Sequence, residues 1–381
     1  MRKSKFGIIT GIALLATAAA VQAEDIVIGA VLSATGPASL LGDPQKKTLE
    51  MLVEKINSEG GVKGQKLKLV VLDDGGDANQ ARTFATRMVD EDGVKLIIGG
   101  TTTGTTMAIM PIVADAEIPF VSFAGARQII DPVQKWVFKI PHTDTMACEK
   151  IFQDIKQRGL SRVALISGTD GFGKSMQDQC VAVAQSSGIE IIRKETFGPR
   201  DADMTPQMTN IKNDAKVEAI VVPGIGQGPA IVVRNYQQLS VKKPLYVSHG
   251  VASKEFISLA GAGANGVRLP AAALLLEEKL SADDPQRPAV MNYSTLYKTK
   301  AKEAVSGFGG FAYDGFMIVV EALKRAKSNE PAEIRDAIEA TKGYVGVNGV
   351  FNLSATDHMG LDLSGFRMVE IKDNDWLAVA R

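Results

Sequence analysis

Ile97-Ile98-Gly99-Gly100-Thr101-Thr102-Thr103-Gly104-Thr105-Thr106 is the stretch on which the reading of this chain turns. It follows Val94 to Ile98, short and β-branched enough for a buried parallel strand, and precedes Met107 to Ala116, which reads as a helix. The stretch is therefore a strand-to-helix turn. Such turns lie at the carboxyl edge of an open parallel sheet, where helix amino termini leave N–H groups unpaired and carry partial positive charge. With threonine hydroxyls beside those amides, a carboxylate would fit. The plainer alternative is that Thr105 or Thr106 only caps the helix.

The same unit recurs in both directions. Upstream, Ile26 to Leu32 reads as a strand that breaks at Gly36-Pro37, with a helix from about Pro44 to Ser58 ending at Gly60-Gly61. Leu67 to Asp73, Asn79 to Asp90 and Ile118 to Phe123 continue the alternation of strand and helix. After Trp136 to Ile140 the pattern restarts with a helix over Thr143 to Arg158, a strand over Arg162 to Ile166 and a helix from Ser175 to Ser186. Strands over Ile189 to Glu195, Ala219 to Val222 and Leu245 to Val247 follow, separated by helices over Pro206 to Asn213 and Pro229 to Leu239. Helices near Ala289 to Ala304 and over Ala312 to Ala326 precede a turn-rich, strand-like end. Uninterrupted alternation is the signature of an α/β fold with right-handed crossovers and parallel sheets. Two doubly wound parallel-sheet lobes joined by a multi-strand hinge are expected, because no low-complexity linker separates the halves. The expected division is 24–143, 144–273, 274–348 and 349–381, with the first and third segments forming lobe 1 and the others lobe 2.

Composition limits the function. The chain has 381 residues, 43 basic and 43 acidic; removing Met1 to Ala23 leaves 40 basic and 43 acidic. A near-neutral protein has no sequence-independent attraction to nucleic acid. Met1 to Ala23 combines Arg2, Lys3 and Lys5 with an apolar run and Val21-Gln22-Ala23, the pattern of a signal peptide cleaved after Ala23. The mature product is expected in a bacterial periplasm. Cys148 and Cys180 are the only cysteines; in an oxidising compartment they could pair, or they could be two buried thiols on separate helices.

Catalytic and cofactor motifs are weak. Gly168 to Ser175 reads Gly-Thr-Asp-Gly-Phe-Gly-Lys-Ser, a formal match to the phosphate-loop pattern. An exported protein meets no ATP, no metal-binding aspartate follows a suitable strand, and helix-start geometry accounts for the glycines. His142, His249 and His358 have no metal-ligand spacing, and no GxSxG elbow occurs. No cofactor is expected and no motif signals catalysis, so no enzymatic activity is expected, although a Ser, His and Asp triad with members far apart in sequence stays open; a sensor or an enzyme on the same fold is the lesser alternative.

The order of several motifs resembles the periplasmic solute-binding proteins of branched-chain amino acid ABC importers. These are Asp25 to Gly42 with its Gly36-Pro37, Asn57 to Gly64, Asp73-Asp74, and the Gly99-to-Thr106 and Ser122-to-Arg127 turns. The resemblance runs from about residue 25 to the carboxyl terminus. It implies two lobes with three hinge crossings, a ligand enclosed by domain closure, and partners in an inner-membrane permease and its ATPase. A monomer is expected.

Position by position, the resemblance puts the carboxylate-gripping hydroxyl on Thr103, with Thr102 beside it. Backbone groups after the fourth strand fall on Ala124 and Gly125, the stacking aromatic on Phe172, and lining positions on Leu41 and Ile225. Amino-acid binders of the family place an acidic side chain near His249 to meet the ligand's ammonium; here the residues are Ser248-His249-Gly250. A buried ammonium without such a partner costs several kcal/mol. Arg127 and His249 would add donors, and Leu40, Leu41, Phe123, Phe172 and Ile225 an apolar bed. That set suits a carboxylate on a flat apolar body, and Ser248 to Ser253 resembles the subgroup that binds hydroxycinnamates and benzoates. Each residue has a plainer alternative: Arg127 paired with Asp131 at the surface, His249 satisfied within the hinge, Phe172 in the lobe core. Branched-chain or other amino acids are the alternative ligand.

Overall fold

The computed structural model describes residues 24–379, so the signal-peptide segment lies outside the described residues. Lobe 1 opens with β1 (Ile26–Leu32), α1 (Ser39–Ser58), β2 (Leu67–Asp73), α2 (Ala78–Asp90), β3 (Leu96–Gly99), α3 (Thr103–Asp115), β4 (Phe120–Ser122) and β5 (Val137–Lys139). The strands form a parallel sheet in the order β2-β1-β3-β4-β5, with Ile28 beside both Leu69 and Leu96. Strands covered by helices on both faces need apolar residues on both, which is why they read as near-continuous Val, Ile and Leu runs.

Lobe 2 begins with α4 (Asp144–Gln157), β6 (Arg162–Gly168), α5 (Gly171–Ala184), β7 (Glu190–Phe197) and α6 (Thr205–Asn213). It continues through β8 (Ala219–Val222), α7 (Gly228–Gln238), β9 (Leu245–Val247), α8 (Lys254–Ala260) and β10 (Arg268–Ala271). The chain then runs through α9 (Arg287–Ala301), α10 (Gly307–Arg325), α11 (Pro331–Glu339), the hairpin β11 (Tyr344–Val345) and β12 (Val350–Phe351), and finally β13 (Arg367–Lys372) and β14 (Asp375–Ala378). Among the described residues the second sheet has the order β14-β13-β10-β9-β8-β6-β7, parallel except for β13 and β14 at one edge.

The backbone passes between lobes three times. After β5 it crosses at residues 140–143. After β10 it returns to lobe 1, where Tyr293 and Thr48 share a hydrogen bond of 2.7 Å and Lys300 pairs with Glu54 at 3.0 Å. The last crossing comes later than the expected boundary at residue 349. Phe351, Leu353, Met359 and Leu361 are buried in the lobe 1 core with Phe316 and Ile334, so that crossing falls at about residues 362–366, before β13.

Cys148 and Cys180 form a disulfide between α4 and α5, which settles the open alternative. Two helices also start earlier than their periodicity suggests: α3 at Thr103 rather than Met107, and α5 at Gly171 rather than Ser175. In both, polar and glycine residues make up the first turn, and the cap residue rather than the apolar pattern marks the start.

Candidate functional site

Strand order locates the site before any side chain is considered. In lobe 1 the order reverses between β1 and β3, and in lobe 2 between β6 and β8. Crevices open at the carboxyl ends of such strand pairs. The residues that follow these four strands are Leu41 after β1, Thr101 to Thr103 after β3, Phe172 after β6 and Ile225 after β8. All of them line one inter-lobe cleft, nearly closed in this arrangement of the lobes, with about 20 Å³ of free volume. Phe123 and Gly125 after β4, and His249 and Gly250 after β9, complete the walls.

Hydrogen-bond accounting at the start of α3 shows what this cavity offers. The first four N–H groups of a helix, counted from the cap residue, have no acceptor within it. Thr102 and Thr105 form a reciprocal capping box, the Thr102 N–H donating to Thr105 Oγ1 at 3.1 Å and the Thr105 N–H to Thr102 Oγ1 at 3.2 Å. That leaves the N–H groups of Thr103 and Gly104 without an intrahelical acceptor. Thr103 Oγ1 is buried and has no hydrogen-bond partner among the described residues. A buried unpaired hydroxyl costs about 1–3 kcal/mol, and a carboxylate oxygen accepting from it would remove that cost.

On the opposite wall His249 is buried and meets Phe172 edge-on, with ring centroids 5.4 Å apart, and Phe366 at 5.3 Å. Burial, reinforced by the nearby Lys139 charge, depresses the imidazole pKa to about 3. Burial thus favours the neutral ring near pH 7, and its Nδ1 has no partner among the described residues. A neutral imidazole donates from one nitrogen only, and here that proton goes to the His142 backbone carbonyl, leaving Nδ1 as an acceptor. A methyl group on Gly125 would lie 2.7 Å from Phe172 Cε2 and 3.0 Å from His249 Nε2, so only glycine lets these rings approach the loop. That loop is fixed from lobe 2: the Asp144 N–H donates to the Gly125 carbonyl at 3.1 Å, and Asp144 Oδ1 accepts from the Arg127 N–H at 3.0 Å. No acidic side chain lines the cavity.

Three expected residues stand differently. The Arg127 side chain is 48% exposed, and its Nε donates to Asp131 Oδ2 at 2.6 Å; it does not reach the cavity, because an acidic residue four positions on captures it at the surface. The Ala124 N–H donates to Ser122 Oγ at 3.1 Å, and Ala124 is absent from the cavity wall. Thr102 lines the cavity, but its hydroxyl serves the capping box. Sequence reasoning missed Thr101, Pro141, Gly250, Phe308 and Phe311. Thr101 belongs to the opening threonine run and spends its hydroxyl on Gln45 Oε1 and the Ser33 N–H. Phe308 and Phe311 open α10, where their spacing of three reads as ordinary core.

The phosphate-loop match resolves into packing. Asp170 caps α5, its Oδ1 accepting from the Phe172 and Gly173 N–H groups at 2.9 and 3.1 Å. A methyl on Gly173 would sit 2.3 Å from the Gly168 carbonyl oxygen, so that glycine admits the helix against β6. Among the described residues no cluster of His, Cys, Asp and Glu could hold a metal, and no helix is long and apolar enough to cross a membrane.

Comparison with known proteins agrees with the two-lobed fold. A family model described as "Periplasmic binding protein" matches residues 25–375. The chain is similar to the Leu/Ile/Val-binding protein homolog 3 of Brucella melitensis, 25% identical over 335 residues that cover 87% of this chain and 88% of that protein. Among solved structures it resembles an extracellular ligand-binding receptor from Rhodopseudomonas palustris HaA2, with TM-score 0.87 and 29% identity over 93% of this chain and 99% of the other. It also shares its fold with the branched-chain amino acid binding protein LivJ of Streptococcus pneumoniae, solved with isoleucine, at TM-score 0.82 and 23% identity, covering 93% and 100% of the two chains.

Proposed function

This chain belongs to the periplasmic binding protein family, and on that premise we propose that it captures a small carboxylate with an apolar, aromatic body and delivers it to an ABC permease. The observation that carries the reading is a buried, partnerless Thr103 hydroxyl in a cavity without any acidic side chain. Thr103 and the free amides at the start of α3 hold the carboxylate, a charge-assisted arrangement. Neutral His249 presents Nδ1 as an acceptor, suited to a ligand hydroxyl rather than to the carboxylate. Leu41, Phe123, Phe172 and Ile225 supply the apolar bed, with Gly125 admitting the Phe172 and His249 rings beside it.

A second reading follows from the relatives, one named for leucine, isoleucine and valine and one solved with isoleucine. An α-amino acid would bring an ammonium into this cavity, and its unpaired burial costs several kcal/mol.

A thermal-shift panel on the protein lacking residues 1–23 separates the two, since a ligand that binds only the folded state raises the melting temperature. Benzoates and cinnamates are expected to stabilise it while leucine is silent. Stabilisation by leucine or valine alone overturns the proposal.

A further inference from the structure

The inner cavity opens outward into a second space that its small size does not require. Thr102 and Ile225 line both. This vestibule encloses about 1420 Å³ of empty space, part of it open to solvent. Its walls are rich in glycine: Gly36, Gly76 and Gly104 of lobe 1 and Gly171, Gly226 and Gly228 of lobe 2 line it beside Pro37, Pro199 and Gln227. Phe197 forms an apolar floor, pressed so close that a methyl on Gly228 would lie 2.4 Å from its ring. At the rim stands Arg200, exposed and without an ion-pair or hydrogen-bond partner among the described residues.

Arg127 and Arg200 form an instructive contrast. The arginine expected to meet the ligand is consumed by Asp131, whereas Arg200 lines a chamber continuous with the ligand cavity. Asp170 also lines that chamber. Its carboxylate is committed, one oxygen accepting the two cap N–H groups and the other turned toward Gly168. Among the described residues, Arg200 is therefore the one lining side chain that can offer a ligand an uncommitted charged donor.

We propose that the natural ligand spans both spaces: a rod-shaped aromatic acid whose first carboxylate and ring enter the inner cavity when the lobes part, carrying beyond the ring a second anionic group that Arg200 meets. This deepens the carboxylate-and-ring reading and rests on it. Ile225 and Thr102 form the neck through which the ring's far substituent passes, and the glycine walls leave a slot for a thin, flat body rather than a branched one.

Calorimetric titration with benzoate, terephthalate and 4-(aminomethyl)benzoate tests this, since the three share one end and differ at the other. Terephthalate is expected to bind about two- to five-fold tighter than benzoate, the range of an exposed ion pair, with the aminomethyl acid weakest. The terephthalate-to-benzoate affinity ratio should fall to about one in Arg200→Ala, stay above one in Arg200→Lys, and shrink with added salt. A ratio that Arg200→Ala leaves unchanged, or a preference for the aminomethyl acid, overturns the inference while benzoate binding still supports the inner-cavity reading. If all three acids are silent and leucine binds, the inner-cavity reading falls, and this inference with it.

Discussion

At the scale of single residues, the chemistry rests on Thr103, whose hydroxyl is unpaired among the described residues, and on His249, whose Nδ1 is an unpaired acceptor there. Thr103 Oγ1 is buried with no partner, so Thr103→Val should have opposite effects on stability and binding. Removing an unsatisfied buried hydroxyl leaves the melting temperature of the ligand-free protein unchanged or slightly higher, while ligand affinity falls about 10- to 100-fold, the worth of a charge-assisted bond. Thr103→Ser should keep the affinity. A hydroxyl serving only the fold would show the reverse, lower stability with affinity intact.

His249 bears on pH in a definite direction. Its pKa is about 3 in the folded protein against 6.5 for the free side chain, and burial also depresses that of His142. Below pH 6.5 the unfolded chain therefore binds protons that the folded one refuses. Stability falls with pH from about 6.5 toward 3, by at most about 1.4 kcal/mol per pH unit for each histidine. Asp314 acts oppositely: burial raises its pKa to about 7, although it accepts N–H bonds from Val347 and Asn348. The isolating measurement is the melting temperature of wild type minus that of His249→Asn between pH 7 and 4.5. The difference should shrink as pH falls; a flat difference would mean the imidazole is charged inside the fold.

Legibility in the sequence divides at this scale too. Residues just after sheet strands, such as Thr103, Phe172 and Ile225, could be placed in the cavity because strand order dictates where their turns lie. Arg127 could not, because Asp131 captures it through side-chain reach rather than backbone pattern. Phe308 and Phe311 come from a helix about 200 residues beyond Thr103 in sequence, and nothing local distinguishes a cavity-facing phenylalanine from a core one.

At the scale of elements, α4 and α5 act as a clamped pair. Their disulfide closes 32 residues of separation, and α5 carries Phe172 at its start. A loop of that size restrains the unfolded chain by about 3–4 kcal/mol in the chain-entropy account. The double variant Cys148→Ala with Cys180→Ala should lower the melting temperature by several degrees and weaken binding less than Thr103→Val does, because Asp170 still caps α5. The sequence left this pair open because spacing cannot show two helices side by side.

The phosphate-loop resemblance belongs to the same element. Lys174 is exposed, while Gly173 is held against β6. Lys174→Ala is accordingly expected to leave both stability and solute affinity within experimental error. ATP should give no thermal shift in either protein; a lysine-dependent shift with ATP would restore the nucleotide reading.

At the scale of the whole molecule, the alternation of strand and helix was enough to imply two parallel-sheet lobes, since that pattern leaves few other topologies. The late third crossing was hidden because Phe351 to Leu361 is irregular chain whose lobe is chosen by long-range packing. The lobes meet at the mouth of the cleft as well as at the hinge, and that contact is the place to test closure. A methyl on Gly226 would lie 2.9 Å from the Pro37 carbonyl of the other lobe. Gly226 also has φ +68°, a region that costs a residue with a side chain about 1–2 kcal/mol, so Gly226→Ala alone would confuse strain with blocked closure. Gly64 supplies the control: its φ is +81° and a methyl there would meet nothing within 4 Å. Both alanine variants should lose similar melting temperature in the absence of ligand. Only Gly226→Ala should also lose ligand affinity and show a larger radius of gyration by small-angle scattering with ligand present. Equal affinities in the two variants would mean that the lobes close without needing the Pro37–Gly226 contact.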